Sequence, residues 1–318
     1  WYKGDDKDFS FTDTYAPLDF GAMRGCEARV WAAFNIMGKG MIGDKPYTHY
    51  LDYAMGHNAK NRMPLYIKPA EKLTVKMVAD VMRDHYEGTE LDMTKDIGAG
   101  GHALPYRWRP MGFEVDGARY TNERAIATQQ TGFWLLGQAR SWLPDEVGGI
   151  FWFGVDDAAT SALTPIYSSS LRVPECFRTG NGNMTTYSPT SAFWIFNRVA
   201  QFAYLLYDRI HPEVKKVADK HELDAMERTA AIDAAAMELY KQSPEKAREF
   251  LTDYSVRTPQ DLFDKWVSLD QYLLVKFMDG NVKKQDANGC FIDNGNGKNI
   301  PASPSQPGYS DIWKRAVK

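Results

Sequence analysis

The sequence has few of the features that announce a function. Three of its 318 residues are cysteine, Cys26, Cys176 and Cys290. Their wide spacing and the lack of any C-x-x-C pair argue against a zinc ribbon or thioredoxin site, and no disulfide is expected. Charge of one sign is also missing. With 38 basic and 41 acidic residues the net charge is −3, so no basic field points to nucleic acid. Apolar runs stay well short of the roughly 18 residues of a membrane span. The richest, within 191–206, is interrupted by Asn197, Arg198 and Gln201. Trp1-Tyr2-Lys3-Gly4-Asp5-Asp6-Lys7 carries no signal core and reads as the inside of a longer protein.

Familiar catalytic signatures are absent as well. His49, His57, His85, His102, His211 and His221 form no H-E-x-x-H, H-x-H or His–Cys pair, so no histidine-bound metal is expected. There is no G-x-S-x-G elbow. Gly98-Ala99-Gly100-Gly101-His102 and Gly180-Asn181-Gly182-Asn183 lack the lysine and the strand-to-helix frame of a phosphate loop, and read as turns.

What remains is a globular composition. The chain is 44% hydrophobic and 25% charged, which excludes a mostly disordered chain. Its length makes two domains at most, at about 150 residues each. Aromatics reach 13%, enough for either a heavy core or an aromatic-lined groove.

The patterning predicts an α+β chain. Ala28, Trp31, Ala32 and Ile36 fall at helical spacing over 22–37, with Gly38 as the stop. Thr74 caps a helix predicted over 75–86. Residues 91–117 read as a long loop. The runs 124–140, 149–155 and 162–168 read as three strands, with Gly148-Gly149 and Asp156-Asp157 as turns, in an antiparallel meander. From residue 188 onward the chain turns helical. One deeply buried helix is predicted over 190–210, broken by His211-Pro212, and a polar-faced helix over 213–242. Ser243-Pro244 and Thr258-Pro259 each start a further helix. An Asn- and Gly-rich surface tail covers 279–307.

Two residues invite a chemical reading. Cys26 lies between Arg24 and Arg29, which would favour a thiolate. No histidine is near in sequence, and the helix pattern makes it a buried structural thiol. Arg140 ends a predicted strand beside the turn Trp142-Leu143-Pro144. There it could hold a carboxylate or an oxyanion bidentately. The alternative is a salt bridge to Asp145, Glu146 or Asp156 that staples the turn.

Several segments in order carry a resemblance. They are Asp8-Phe9-Ser10-Phe11 with Tyr15, Glu27-Ala28-Arg29-Val30-Trp31, and Pro64-Leu65-Tyr66-Ile67-Lys68-Pro69. Asp84-His85-Tyr86-Glu87-Gly88-Thr89, the block 124–156, and Ser191-Ala192-Phe193-Trp194-Ile195-Phe196-Asn197 complete the set. At these residues the sequence resembles the dipeptidase A family, cysteine-type dipeptidases of the N-terminal nucleophile hydrolases, related to secernins. The resemblance implies a four-layer αββα fold and a cysteine at the mature N-terminus whose own α-amino group is the base. It also implies no metal or cofactor, and short peptides, chiefly dipeptides, as substrates.

This chain departs from that pattern: it starts at Trp1, and Cys26 is not in the nucleophile motif. The resemblance therefore makes residues 1–318 one domain that is the C-terminal portion of such an enzyme. Helix, loop and sheet would run to about 187, with a helical extension beyond. The nucleophile would lie upstream, and the upstream segment would be the chain's partner. Arg140 matches the strand that carries an arginine toward the nucleophile, and Arg29 and Trp142 are assigned to substrate binding. The sheet edge left open by the upstream segment is expected to self-associate. The alternative is a non-catalytic binding module that uses an aromatic surface around Phe133, Trp134 and Trp142.

Overall fold

The computed structural model describes residues 2–298 and 300–318. It forms two compact units, one of residues 1–93 with 107–128, the other of residues 94–106 with 129–318.

The first unit is organised by helix α1, Ala28–Met37, which follows a π-helical turn at Met23–Glu27. Positions 28, 31 and 32 share one face and are buried with Ile42, Tyr50, Tyr86, Leu91 and Ala125. Trp31 is fully buried, and its indole N–H donates to the Tyr47 carbonyl at 2.9 Å, so its one polar atom is satisfied. The helix stops at Gly38, where a Cβ would lie 1.8 Å from the Met41 carbonyl oxygen; only glycine fits there.

Helix α2 is shorter than its periodicity suggests, Val75–Met82, although Thr74 caps it as expected by accepting from the Met77 N–H at 3.2 Å. A local competitor ends it. The Asp84 carboxylate takes the Tyr86 N–H at 3.0 Å, and Tyr86 turns to φ +65°. The loop that follows bonds largely to itself, with Gly88 N–H on Asp92 at 3.0 Å and Thr89 hydroxyl on the Tyr86 carbonyl at 2.7 Å. The Tyr86 hydroxyl then donates to the Arg124 carbonyl at 2.7 Å, and the Ala127 N–H to the Asp84 carbonyl at 3.1 Å. These bonds hold 124–128 as irregular chain, so the strand predicted from residue 124 begins only at Phe133.

The predicted loop 91–117 also contains more structure than expected. It includes a 3-10 turn at Ile97–His102. It also supplies strand β1, Gly112–Val115, which pairs with β2, Ala118–Thr121. Asp116 and Gly117 take positive φ, the turn that matches strand twist.

The second unit holds a three-stranded antiparallel sheet in the order β3, Phe133–Ala139; β4, Gly149–Val155; and β5, Thr164–Tyr167. Phe133 faces Val155, Leu135 faces Phe153, and Phe151 faces Ile166. Because side chains alternate, Trp134, Ile150, Trp152 and Tyr167 share one face and are buried. Phe133, Leu135 and Phe151 share the other and are exposed.

Helices α3, Ala192–Leu205; α4, Tyr207–Tyr240; and α5, Pro244–Phe277, build the rest of the core. Phe196 of α3 stacks on Trp266 of α5 with centroids 4.6 Å apart, both fully buried. One face of α3 is buried, while Leu205 is 70% exposed, so the helix is not enclosed on all sides as predicted.

Two predicted helix breaks do not occur where the prolines stand. The chain kinks at Leu206, and α4 runs through Pro212. Likewise α5 runs unbroken through Pro259, which is buried. Each proline removes one backbone bond, and burial of a long apolar face outweighs it. Helix α6, Asp311–Val317, has no counterpart among the predicted elements. Ser310 caps it, and Tyr309 stacks on Trp313 at 3.9 Å. The αββα sandwich that the resemblance implies is not established by this architecture, which is mixed helix and antiparallel sheet.

Candidate functional site

A dense polar cluster in the second unit follows strand β4. The sheet ladder ends where Asp156 turns to φ +72° and donates its N–H to the Gly132 carbonyl at 2.9 Å. Asparagine and aspartate tolerate this region best among residues with a Cβ. Asp157 follows, fully buried, and four donors converge on its carboxylate. The Ala159 N–H lies 2.8 Å from one oxygen. The hydroxyls of Thr160, Tyr106 and Tyr204 lie 2.6, 2.7 and 3.1 Å from the other. A buried charge is tolerated only with such company. Ser161 donates to the Asp157 carbonyl and accepts from the Trp134 indole, both at 2.8 Å. His211 Nε2 lies 2.9 Å from the Ala159 carbonyl, its ring stacked on Tyr207. The Glu222 carboxylate accepts the Leu163 N–H at 2.8 Å.

Asp156 differs from its neighbour. One carboxyl oxygen accepts the Asp157 N–H at 2.7 Å; the other, Oδ2, is buried without a hydrogen-bond partner. Burial, and then the nearby Asp157 charge, raise its pKa well above the usual carboxylate range. Burial and the same charge hold Tyr106 and Tyr204 well above the usual phenol range, so both remain donors. The cluster therefore pairs an acceptor surrounded by donors with a carboxyl that favours its protonated form. Such a carboxyl can donate to, or take a proton from, a polar group brought against it. Val155, the preceding residue, lines a groove of about 430 Å³ walled by Phe133, Phe153, Phe177 and Phe193 and by the 180–183 turn.

The residues singled out from the sequence lie elsewhere. Arg140 is buried, and protein groups engage all three guanidinium nitrogens. Nη1 pairs with Asp233 of α4, Nη2 donates to the Val147 carbonyl at 2.6 Å, and Nε to the Gly148 carbonyl at 3.3 Å. The other Asp233 oxygen accepts from the Tyr167 hydroxyl at 2.7 Å. In this chain the guanidinium is thus a staple joining the 140–148 turn, β5 and α4. Its acid is Asp233, not Asp145, Glu146 or Asp156. Trp142, across the same turn, is 76% exposed. Trp134 is buried, which removes it from the expected aromatic surface.

Arg29, in the first unit, donates to the Gly25 carbonyl at 2.9 Å, and its Nη2 lies 3.8 Å from the Cys26 sulfur. Cys26 is exposed, not buried as the helix pattern implies, because the π-helical turn shifts it off the core face. All three cysteines are free.

In the sequence, Asp156 and Asp157 read as turn residues, and Asp156 also as one alternative acid for Arg140. A local signal is there: two adjacent acids followed by small and hydroxyl residues between two strands. The hydroxyls of Tyr106 and Tyr204 come from 51 and 47 positions away, and no spacing announces them.

Comparison with known proteins bears on this stretch. The family model described as Peptidase family C69 matches residues 1–220, which takes in Tyr106, the 156–164 loop, Tyr204 and His211. A curated relative from Lactococcus lactis subsp. lactis (strain IL1403), described as "Probable dipeptidase B", is 22% identical over 194 residues. That match covers 58% of this chain and 37% of the relative, so the chain spans little more than a third of the relative's length.

Proposed function

Since the chain belongs to peptidase family C69, we propose that it is part of a hydrolase cleaving short peptides, chiefly dipeptides. In this reading the nucleophile is a cysteine supplied by sequence preceding Trp1, with its own α-amino group as base. The observation that carries the reading is the family match over 1–220, which includes the sheet and the Asp156–Asp157 cluster.

The thiols of this chain support an external nucleophile. Burial pushes the Cys176 thiol up to about 12, the opposite of activation. Cys290 lies in the tail beyond the matched residues. Cys26 has an arginine beside its sulfur, not a base that could take its proton.

The groove walled by Phe133, Phe153, Phe177 and Phe193 would take apolar substrate side chains, with the 180–183 turn as its polar wall. The exposed apolar face of Phe133, Leu135 and Phe151, and the open edge of β3, support a further strand layer supplied by the upstream segment. Without it, the same face would join two copies of the chain. Exposure of Phe133 and Trp142 also favours a second reading, a non-catalytic binding module.

The test compares this chain with the intact protein on a panel of dipeptides. The expected result is no turnover by the chain alone. The intact protein should turn over, and should lose activity when its N-terminal cysteine is replaced. Turnover by the chain alone that disappears in Cys26→Ala would overturn the reading.

A further inference from the structure

The helical hairpin of α4 and α5 carries a site that the peptidase reading does not use, its inner cavity built from residues beyond position 220. On α4, His221, Asp224, Ala225 and Arg228 fall at i, i+3, i+4 and i+7, one face of the helix. Tyr254, Thr258, Asp261 and Lys265 repeat that logic on α5. Between them lies a cavity of about 50 Å³, room for a few water molecules or one carboxylate group.

Two side-chain atoms in its wall are buried and have no hydrogen-bond partner: His221 Nε2 and the Tyr254 hydroxyl, which Thr258 does not satisfy. His221 is only 4% exposed. Arg228 and Lys265 have no acidic partner among the described residues. Asp224 is taken by Lys220 at 3.5 Å, so the wall sets two unpaired cations against one unpaired acid, Asp261. His221 and Lys265 also line a larger groove of about 980 Å³ over Val217, Leu269 and Tyr272.

We propose that this seam binds an organic carboxylate, its headgroup in the small cavity against His221, Tyr254, Arg228 and Lys265, its apolar body along the larger groove. Water in the cavity would satisfy the two orphaned polar atoms but would leave the two cations unopposed. A carboxylate does both at once. Burial, with Lys265 and Arg228 close by, pushes His221 down to about 4, while Asp224 opposes the shift. The ring is therefore neutral near pH 7 and available as a single donor. A lone carboxylate fits the cavity volume and brings Arg228 and Lys265 an anionic partner.

The experiment titrates the full chain with hexanoate, N-acetyl-leucine and inorganic phosphate at constant ionic strength, read by calorimetry. Saturable carboxylate binding is expected, at least tenfold weaker in Arg228→Gln and in Lys265→Gln, about the worth of one charge-assisted hydrogen bond. Asp261→Asn should tighten it by removing the opposing charge. Both cations and Asp261 are exposed, so these variants should fold. Preference for hexanoate would identify a free organic acid as the ligand; preference for N-acetyl-leucine, a peptide C-terminus. The proposal is overturned by an absence of saturable carboxylate binding, by phosphate binding as tightly as either carboxylate, or by affinities that none of the three variants moves.

Discussion

Lysine in place of Arg140 would keep a positive charge opposite Asp233 but would lose the planar fork that reaches the Val147 and Gly148 carbonyls together. Two buried carbonyls would then lack a side-chain donor. The expected loss is about 2 kcal/mol of stability, read as a lower urea midpoint at unchanged slope. A midpoint equal to that of the parent chain would show that the staple is worth nothing. Asp156 makes the opposite case, a carboxyl that the fold prefers neutral. Its folded pKa is raised above the ordinary value of 3.8. Its contribution to stability is therefore fully present below about 3.8 and is lost as pH rises through the folded value. An asparagine side chain at this position would retain an oxygen for the Asp157 N–H and carry no charge. Asp156→Asn should thus match the parent in acid and exceed it in stability at higher pH. Urea melts across that range measure the crossing. A variant less stable than the parent at alkaline pH would mean that the unpartnered oxygen has a charged role in the fold.

Elements are legible where local chemistry and tertiary context agree. The run Gly149–Val155 reads with its observed bounds, because a glycine pair precedes it, two aspartates follow it, and its residues are apolar and aromatic. Ser243-Pro244 marks the start of α5 because a serine cap and an N1 proline are local devices. Legibility fails where a distant partner overrides the local signal. Pro212 and Pro259 look like breaks, but the helices that carry them are held by packing between α3, α4 and α5, with Pro212 on the exposed side of α4 and Pro259 buried. Residues 124–128 look like strand, but their backbone is claimed by the loop at 84–86. Hairpin β1–β2 escapes a reading by pattern although Asp116-Gly117 announces it, because the segment buries almost nothing and so shows no clear period. The Asp157 cluster is hidden for a related reason: its tyrosines are brought in by two separate segments, at 106 and in α3.

At the scale of the whole molecule, the sheet of the second unit has one face sealed by helices and the other covered only at Phe153 and Val155. Phe133 is 62% exposed, Phe151 46% and Leu135 43%, and Leu135 links the other two, next to Phe133 along β3 and diagonal to Phe151 on β4. An apolar face of this kind, beside an edge of β3 that pairs with no strand among the described residues, is costly in water and finds cover. The chain on its own should therefore associate as its concentration rises. In sedimentation velocity this would appear as a mass average that climbs with loading. Replacing Leu135 and Phe151 by lysine puts charge on the open face without touching Trp134 or Trp152 on the sealed one. The double variant should remain folded by circular dichroism and sediment as a monomer. Salt provides a control, since screening weakens repulsion between the new lysines. Partial reassociation of the variant at high salt would place the contact on that face. A parent chain that stays monomeric throughout, or a variant that associates as the parent does at low salt, would mean that the open face is not where copies meet. The support it gives to a further strand layer would fall with it.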